Sequence, residues 1–222
     1  MDNVLITDFD GTITRNDFYA LVAERYMPGV PLDHYFTQYR EGRLSHFDAM
    51  AAYFAHTPTD QAAIEQLLLD TAPDPNLGAS IHRLRTASWD VIIVSAGSSW
   101  YIEKILARAG LAADVNPIAI HSNPGSLQPG SGLVLAKATA SPFFCEDVGI
   151  DKSAVVAHAL TRYKNVAFAG DGPPDLQPAL KVSPELRFAR AYLAGALKGR
   201  GESFHPFTQW SQIADKLSNN AA

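Results

Sequence analysis

The chain has 222 residues with 18 Lys plus Arg against 23 Asp plus Glu, and one cysteine, Cys145. That length accommodates one core domain with a modest insert, and a net charge of −5 without any basic run excludes a nucleic-acid face. A single thiol rules out an intramolecular disulfide and any zinc site built on several thiolates. The longest apolar runs, such as Val91-Ile92-Ile93-Val94, fall far short of the roughly 20 residues that span a bilayer. Residues 1–7 carry no export-signal pattern, so a cytoplasmic protein with no membrane partner is expected.

The first element is a buried strand, Val4-Leu5-Ile6-Thr7, which runs into Asp8-Phe9-Asp10-Gly11-Thr12. Residues 15–78 then read as successive helices at 17–26, 32–40, 45–56 and 59–71, punctuated by Pro28, Pro31 and Pro58, with Pro73 and Pro75 marking the return. A second β-branched run, Val91-Ile92-Ile93-Val94, ends in Ser95-Ala96-Gly97-Ser98, and a helix follows over 98–109 with Gly110 as its stop. Strands are expected at 117–121 and 186–189, and residues 122–149 read as either a hairpin or a long loop. A helix over 152–163 leads to a third buried run, Val166-Ala167-Phe168-Ala169, which ends in Gly170-Asp171-Gly172. A helix over 208–217 closes the chain, and the tail from 218 to 222 is expected to fray.

Strand–helix alternation of this kind predicts an α/β fold, a Rossmann-like parallel sheet with helices on both faces. The helical run is read as a small cap inserted after the first strand. Residues 1–14 plus 79–222 then form the core and 15–78 the cap. In open α/β sheets ligands bind beyond the carboxyl ends of the strands, so the three polar turns should converge.

Convergence would gather Asp8, Asp10, Asp171 and Asp175 at one sheet edge. Four carboxylates repel unless a cation or donors compensate them, and the oxygen-only set suits Mg²⁺. Lys152 and the Ser95 hydroxyl beside such a centre suit a phosphoryl group, whose charge is spread over several oxygens. A calcium loop beginning at Asp8 would need Gly at its sixth position and Glu at its twelfth, where Ile13 and Tyr19 stand. No phosphate-binding G-x-x-x-x-G-K-[ST] loop or dinucleotide fingerprint is present.

Asp8-Phe9-Asp10-Gly11-Thr12-Ile13-Thr14, Ser95, Lys152 and Gly170-Asp171-Gly172-Pro173-Pro174-Asp175 resemble, in order, the four motifs of the haloacid dehalogenase superfamily. The helical insert is similar to the small cap of its phosphoserine-phosphatase-like branch. Only 56 residues separate Ser95 from Lys152, too few for the larger cap type. The resemblance implies that Asp8 is the nucleophile and Asp10 the general acid and base. It implies Mg²⁺ held by Asp8, the Asp10 carbonyl and Asp171, with Asp175 outside the coordination sphere and Thr12 positioning Asp10. Ser95, Lys152 and backbone amides around Phe9, Ala96 and Gly97 would bind the phosphoryl oxygens.

Members that release halide lack an acid at the place of Asp10, so phosphate chemistry is implied instead. Thr14-Arg15-Asn16-Asp17, Glu41-Gly42-Arg43-Leu44-Ser45 and Arg187-Phe188-Ala189-Arg190-Ala191-Tyr192-Leu193 are similar to 2-hydroxy-3-keto-5-methylthiopentenyl-1-phosphate phosphatases. The expected partner is a small phosphomonoester, faced from the cap by Asp17, Arg40 and Arg43 with Phe18, Tyr19 and Phe47 as apolar walls. For a phosphoserine ammonium, Asp17 or Glu24 would have to serve. Cys145 reads as a packed residue, and His34, His46, His56 and His82 as surface or half-buried helix positions. A phosphotransferase and a non-catalytic binding protein on the same fold are the alternatives.

Overall fold

A computed structural model of the protein describes residues 2–111 and 117–219. Strands β1 (Asn3–Thr7), β2 (Trp89–Ser98) and β3 (Ala119–Asn123) occupy one side of the central sheet. The hairpin strands β4 (Gly125–Gln128) and β5 (Gly132–Leu135), and the two-residue strands β6 (Phe144–Cys145) and β7 (Gly149–Ile150), lie apart from it. The sheet is completed by β8 (Asn165–Gly170), β9 (Arg187–Ala189) and β10 (His205–Pro206), giving the order β10-β9-β8-β1-β2-β3. All its pairings are parallel.

The central strand β1 is buried on both faces because its residues alternate between two apolar layers. Leu5 joins Val91, Ile93, Ala167 and Ala169 on one side. That layer is covered by α5 (Leu77–Thr86), α6 (Ser99–Arg108) and α10 (Ser211–Asn219), through Ile81, Ile105 and Ile213. Val4, Ile6, Val94, Val166 and Phe168 form the opposite layer. It is covered by α7 (Lys152–Leu160), α8 (Leu176–Lys181) and α9 (Ala191–Gly199), through Val156, Ala179 and Leu193. This is the expected α/β sheet with helices on both faces.

Four helices stand between β1 and α5: α1 (Phe18–Tyr26), α2 (His34–Arg40), α3 (His46–Phe54) and α4 (Gln61–Asp70). Two start where the sequence supplies a side-chain cap. Ser45 accepts from the Asp48 amide at 3.0 Å and Asp60 from the Ala63 amide at 2.9 Å. The chain enters and leaves this insert side by side. The Arg15 amide donates to the Thr71 carbonyl, the Asp74 amide donates to the Ile13 carbonyl, and Thr14 bridges Pro73.

Residues 122–149 combine a hairpin and a loop. Antiparallel β4 and β5 pair from Gly125↔Leu135 to Gln128↔Gly132, and β5 packs on insert helix α3. Strand β2 runs further than expected, to Ser98, with its register against β3 shifting between Val94 and Ser98. An irregularity of this kind re-aims side chains at a strand end, and here it covers Ser95, Ala96 and Gly97. Helices α5, α8 and α9 were not apparent from the sequence. Helix α10 includes Ser218 and Asn219, while residues 220–222 of the tail lie outside the described residues. Among the described residues, no helix is long and apolar enough to cross a membrane.

Candidate active site

The three strand-end turns do converge, and with the insert they enclose a cavity of about 650 Å³. Its floor carries Asp8, Asp10, Ser95, Ala96, Gly97, Lys152, Asp171 and Asp175. Asp8 is fixed at the end of β1 by its amide, which donates to the Ala169 carbonyl of β8 at 2.9 Å.

Lys152 is the first residue of α7, whose start is capped by the Asp151 carboxylate. Its ammonium lies 2.8 Å from Asp8 Oδ1 and 2.7 Å from Asp175 Oδ1. Burial pulls the lysine pKa down, but the charges of Asp175 and Asp8 outweigh it and hold the ammonium above its ordinary value. The other Asp175 oxygen accepts from the amides of Asp171 and Gly172 at 3.0 and 2.9 Å. Asp175 is therefore fully engaged in bracing Lys152 and the Asp171 turn.

Asp10 is held differently. Its Oδ1 accepts from the Phe18 amide at 3.1 Å, and its Oδ2 accepts from the Tyr101 hydroxyl. Tyr101 is fully buried on α6 and stacks on Phe18, with ring centroids 4.4 Å apart. Gly97 makes this approach possible, since a Cβ there would overlap the Tyr101 hydroxyl and come within 3.0 Å of Asp10 Oδ2. Burial pushes the Asp10 carboxyl up to about 6, against the lowering effect of the Tyr101 and Phe18 bonds.

Thr12 does not position Asp10 as expected. Its hydroxyl donates to Asp171 Oδ1 at 2.8 Å, because the turn after β1 faces the β8 turn across the strand ends. Gly11, at φ +70°, lets that turn close, as a Cβ there would overlap the Asp171 carboxylate and sit 2.9 Å from Asp17 Oδ1. Asp17 lines the cavity next to these groups. Burial and the neighbouring Asp10 and Asp171 charges push it up to about 7.

Ser95 is buried at the irregular end of β2, where its hydroxyl accepts from the Gly97 amide at 2.9 Å. Asn123 braces the same segment by donating to the Ala96 carbonyl at 2.9 Å. Phe9 is a core side chain, and its carbonyl accepts from the amides of Ile13 and Thr14.

The donor set fits a hard divalent cation. One carboxylate oxygen each from Asp8, Asp171 and Asp175 lies within 4.8 Å of the others. Burial and the nearby Asp175 charge raise the pKa of both Asp8 and Asp171, so a cation would relieve a repulsion already present. Asp8 and Asp171 retain the most lone pairs for it, whereas Asp175 already accepts from Lys152 and two amides.

The insert supplies the opposite wall: Tyr19, Leu32, Asp33, Phe36, Tyr39, Arg40, His46 and Met50. Arg40 lies there as expected, 3.1 Å from Asp33. Arg43 does not, because it pairs with Glu41 on the exposed surface of the insert. Phe18 and Phe47 are also absent from the lining, being buried in the packing around Tyr101 and at the start of α3, and Glu24 is exposed elsewhere. Phe36, Tyr39 and His46 take their place. His46 is 8% exposed, more buried than the surface or half-buried position expected of it, and burial pushes its pKa down to about 4. Tyr101, His46, Phe36 and Tyr39 were missed because ring residues on helices read as core packing. Cys145 is half-buried and has no part in the lining.

The model of the haloacid dehalogenase-like hydrolase family matches residues 5–180. A search of curated protein sequences finds no match. Among solved structures, the chain is similar to a phospho-aspartyl intermediate analogue of phosphoserine phosphatase, with TM-score 0.67 and 16% identity over 96% of this chain and 98% of that one. It is similar to a substrate-bound phosphoserine phosphatase complex, with TM-score 0.66 and 15% identity over 97% and 98% of the two chains. A phosphoserine phosphohydrolase-like protein from Francisella tularensis subsp. tularensis SCHU S4 gives TM-score 0.63 and 16% identity over 97% and 99%. At these identities the likeness is one of fold, and it covers 96–97% of this chain. With the family match covering most of the sequence, the chain belongs to the haloacid dehalogenase-like hydrolase family.

Proposed function

We propose that this hydrolase is a Mg²⁺-dependent phosphomonoesterase acting through an aspartyl-phosphate on a small phosphorylated metabolite, with residues 15–78 as its cap. The observation that carries this reading is the pair Asp8 and Asp10 on the cavity floor. They are two residues apart yet held by different partners, one against a buried lysine and one against a buried tyrosine. Environments that separate two carboxylates in this way assign them different jobs.

Asp8, its carboxylate charge met by Lys152 at 2.8 Å, attacks phosphorus through a carboxylate oxygen. The bond from phosphorus to the alcohol oxygen breaks, and Asp10, with a pKa near 6, gives its proton to the departing oxygen. Water then attacks the aspartyl-phosphate while Asp10 takes up a proton from it, which releases inorganic phosphate and regenerates both carboxyls. Lys152 and Ser95 orient the phosphoryl oxygens. Mg²⁺, held by Asp8, Asp171 and the Asp10 carbonyl, would neutralise phosphoryl charge when bound. Asp175 and Thr12 hold Lys152 and Asp171 in place for this.

The single half-buried thiol fits a reducing, cytoplasmic setting. The test is phosphate release from a panel of small phosphomonoesters with Mg²⁺, beside a chelator control and Asp8→Asn. Turnover that vanishes in both controls supports the reading. Release that persists in Asp8→Asn would sink it, and phosphate appearing on an added alcohol instead of in solution would favour a phosphotransferase.

A further inference from the structure

The cavity's wall opposite the carboxylates has a chemistry of its own. Leu32, Phe36 and Met50 line it beside Tyr19 and Tyr39, and the imidazole of His46 is set among them. The imidazole is clasped by two rings, with centroids 5.4 Å from Phe36 and 5.4 Å from Tyr39. Neither of its ring nitrogens hydrogen-bonds to a described residue; Nδ1 is fully buried, so Nε2 is the nitrogen a ligand in the cavity can reach. Buried polar nitrogens are nearly always paired, so an unpaired imidazole against a cavity marks a place for a ligand's polar group. Its burial keeps it uncharged, offering one donor and one acceptor.

The basic groups around the cavity are already committed. Lys152 lies between Asp8 and Asp175, and Arg40, the other lysine or arginine among the described lining residues, is paired with Asp33. Asp17 lines the cavity between floor and wall, beside Gly11 and Asp171, and its charge also reaches Tyr19. A substrate carboxylate would have to displace Asp33 from Arg40. A substrate ammonium would have to reach Asp17, since against Phe36 and Met50 beside His46 it would lose its hydration without gaining a counter-ion.

Resting on the phosphatase reading above, we propose that the alcohol released here is uncharged and mainly apolar, with one carbonyl or hydroxyl recognised by His46, and that amino-acid phosphates are poor substrates. His46 is thus the specificity-determining residue, and Tyr19, Phe36 and Tyr39 form the apolar seat.

The experiment compares kcat/KM for pentyl phosphate, 4-oxopentyl phosphate, phosphoserine and phosphoethanolamine, with p-nitrophenyl phosphate as a general reporter. The two uncharged alkyl esters should exceed phosphoserine and phosphoethanolamine by about tenfold or more, the cost of desolvating an unpaired charge. The keto ester should exceed pentyl phosphate by about fivefold, the worth of one hydrogen bond. His46→Leu should bring that last ratio close to one, and His46→Gln, which keeps a donor and an acceptor, should retain part of it. Preference for either amine-bearing ester, or a keto-to-alkyl ratio unmoved in His46→Leu, overturns the inference while leaving the phosphatase reading intact. Silence on all five esters overturns both.

Discussion

The floor and the wall of the cavity are built on opposite principles. On the floor, Asp8, Asp10, Lys152, Asp171 and Asp175 each have named polar partners, and Asp8, Asp10 and Asp171 sit in turns at strand ends that the parallel sheet fixes. On the wall, side chains meet through ring contacts on three short helices, and the polar group among them, His46, has no ring-nitrogen partner. The difference divides the labour. Groups that must hold charge and move protons sit on the rigid sheet, and groups that recognise an alcohol sit on an insert joined to it by two adjacent strands of chain. The hairpin and the Asp147 loop tie the insert down a second time. Asp147 accepts from the His46 amide at 3.2 Å and from the Tyr39 hydroxyl at 3.4 Å.

If the division is right, floor variants lose kcat and wall variants raise KM. The largest effect belongs to Asp8→Asn, which removes the attacking carboxylate and should reduce phosphate release to background in a steady-state assay. Lys152→Met should be nearly as severe for turnover. It also leaves two buried carboxylates uncompensated, so without Mg²⁺ it should lower stability by about 3 kcal/mol in a denaturant titration.

Tyr101→Phe removes one of the two bonds to the general acid and should cost about tenfold or more in kcat for alkyl esters. The loss should be much smaller for p-nitrophenyl phosphate, whose leaving group needs little proton assistance. An equal loss for both would make Tyr101 merely structural. Phe36→Ala tests the wall and should raise KM by about tenfold with kcat little changed, the scale of one lost apolar contact surface. Arg43→Ala, outside the cavity and paired with Glu41, should stay within about twofold in both parameters.

The crowding of carboxyls also makes stability depend on pH. Asp10 and Asp17 keep their protons to about 6 and about 7 in the folded chain, against 3.8 when unfolded. Between those values the folded state binds protons that the unfolded state has lost, so this contribution declines as pH rises. His46, pushed down to about 4, and His121 and His205, lowered by burial, act in the opposite sense, against the four raised carboxyls Asp8, Asp10, Asp17 and Asp171. Without divalent cation, thermal stability should therefore fall as the pH rises from about 4 to 7. The stabilisation conferred by Mg²⁺ should grow over the same interval, and a gain independent of pH would show that the cation does not bind at this cluster.

The floor was legible in the sequence because its signals are local. Each of Asp8, Ser95 and Asp171 is announced by a β-branched run with a polar turn at its end, and a parallel sheet brings such ends together. Thr12 was placed at the site but given the wrong partner, since no sequence spacing reveals that the β1 turn faces the β8 turn. The wall was largely illegible. Phe36, Tyr39 and His46 lie on insert helices whose facing depends on how α2 and α3 pack, and an aromatic residue turned toward a cavity has the same helical spacing as one turned toward a core. Phe18 and Phe47 have the spacing of wall residues too, yet both are buried packing. Helices α8 and α9 escaped notice because Pro173, Pro174, Pro178 and Pro184 break the periodic pattern around them.

The central claim is that Asp8 carries the phosphoryl group between the two half-reactions. It is tested most directly by mixing enzyme, Mg²⁺ and a rapidly hydrolysed phosphomonoester, quenching in acid within the first turnover, and mapping the modified peptide by mass spectrometry. The account predicts a transient gain of one phosphoryl group on the peptide containing Asp8, absent in Asp8→Asn. A full turnover with no phosphorylated peptide, or with the phosphoryl group on another residue, would contradict it.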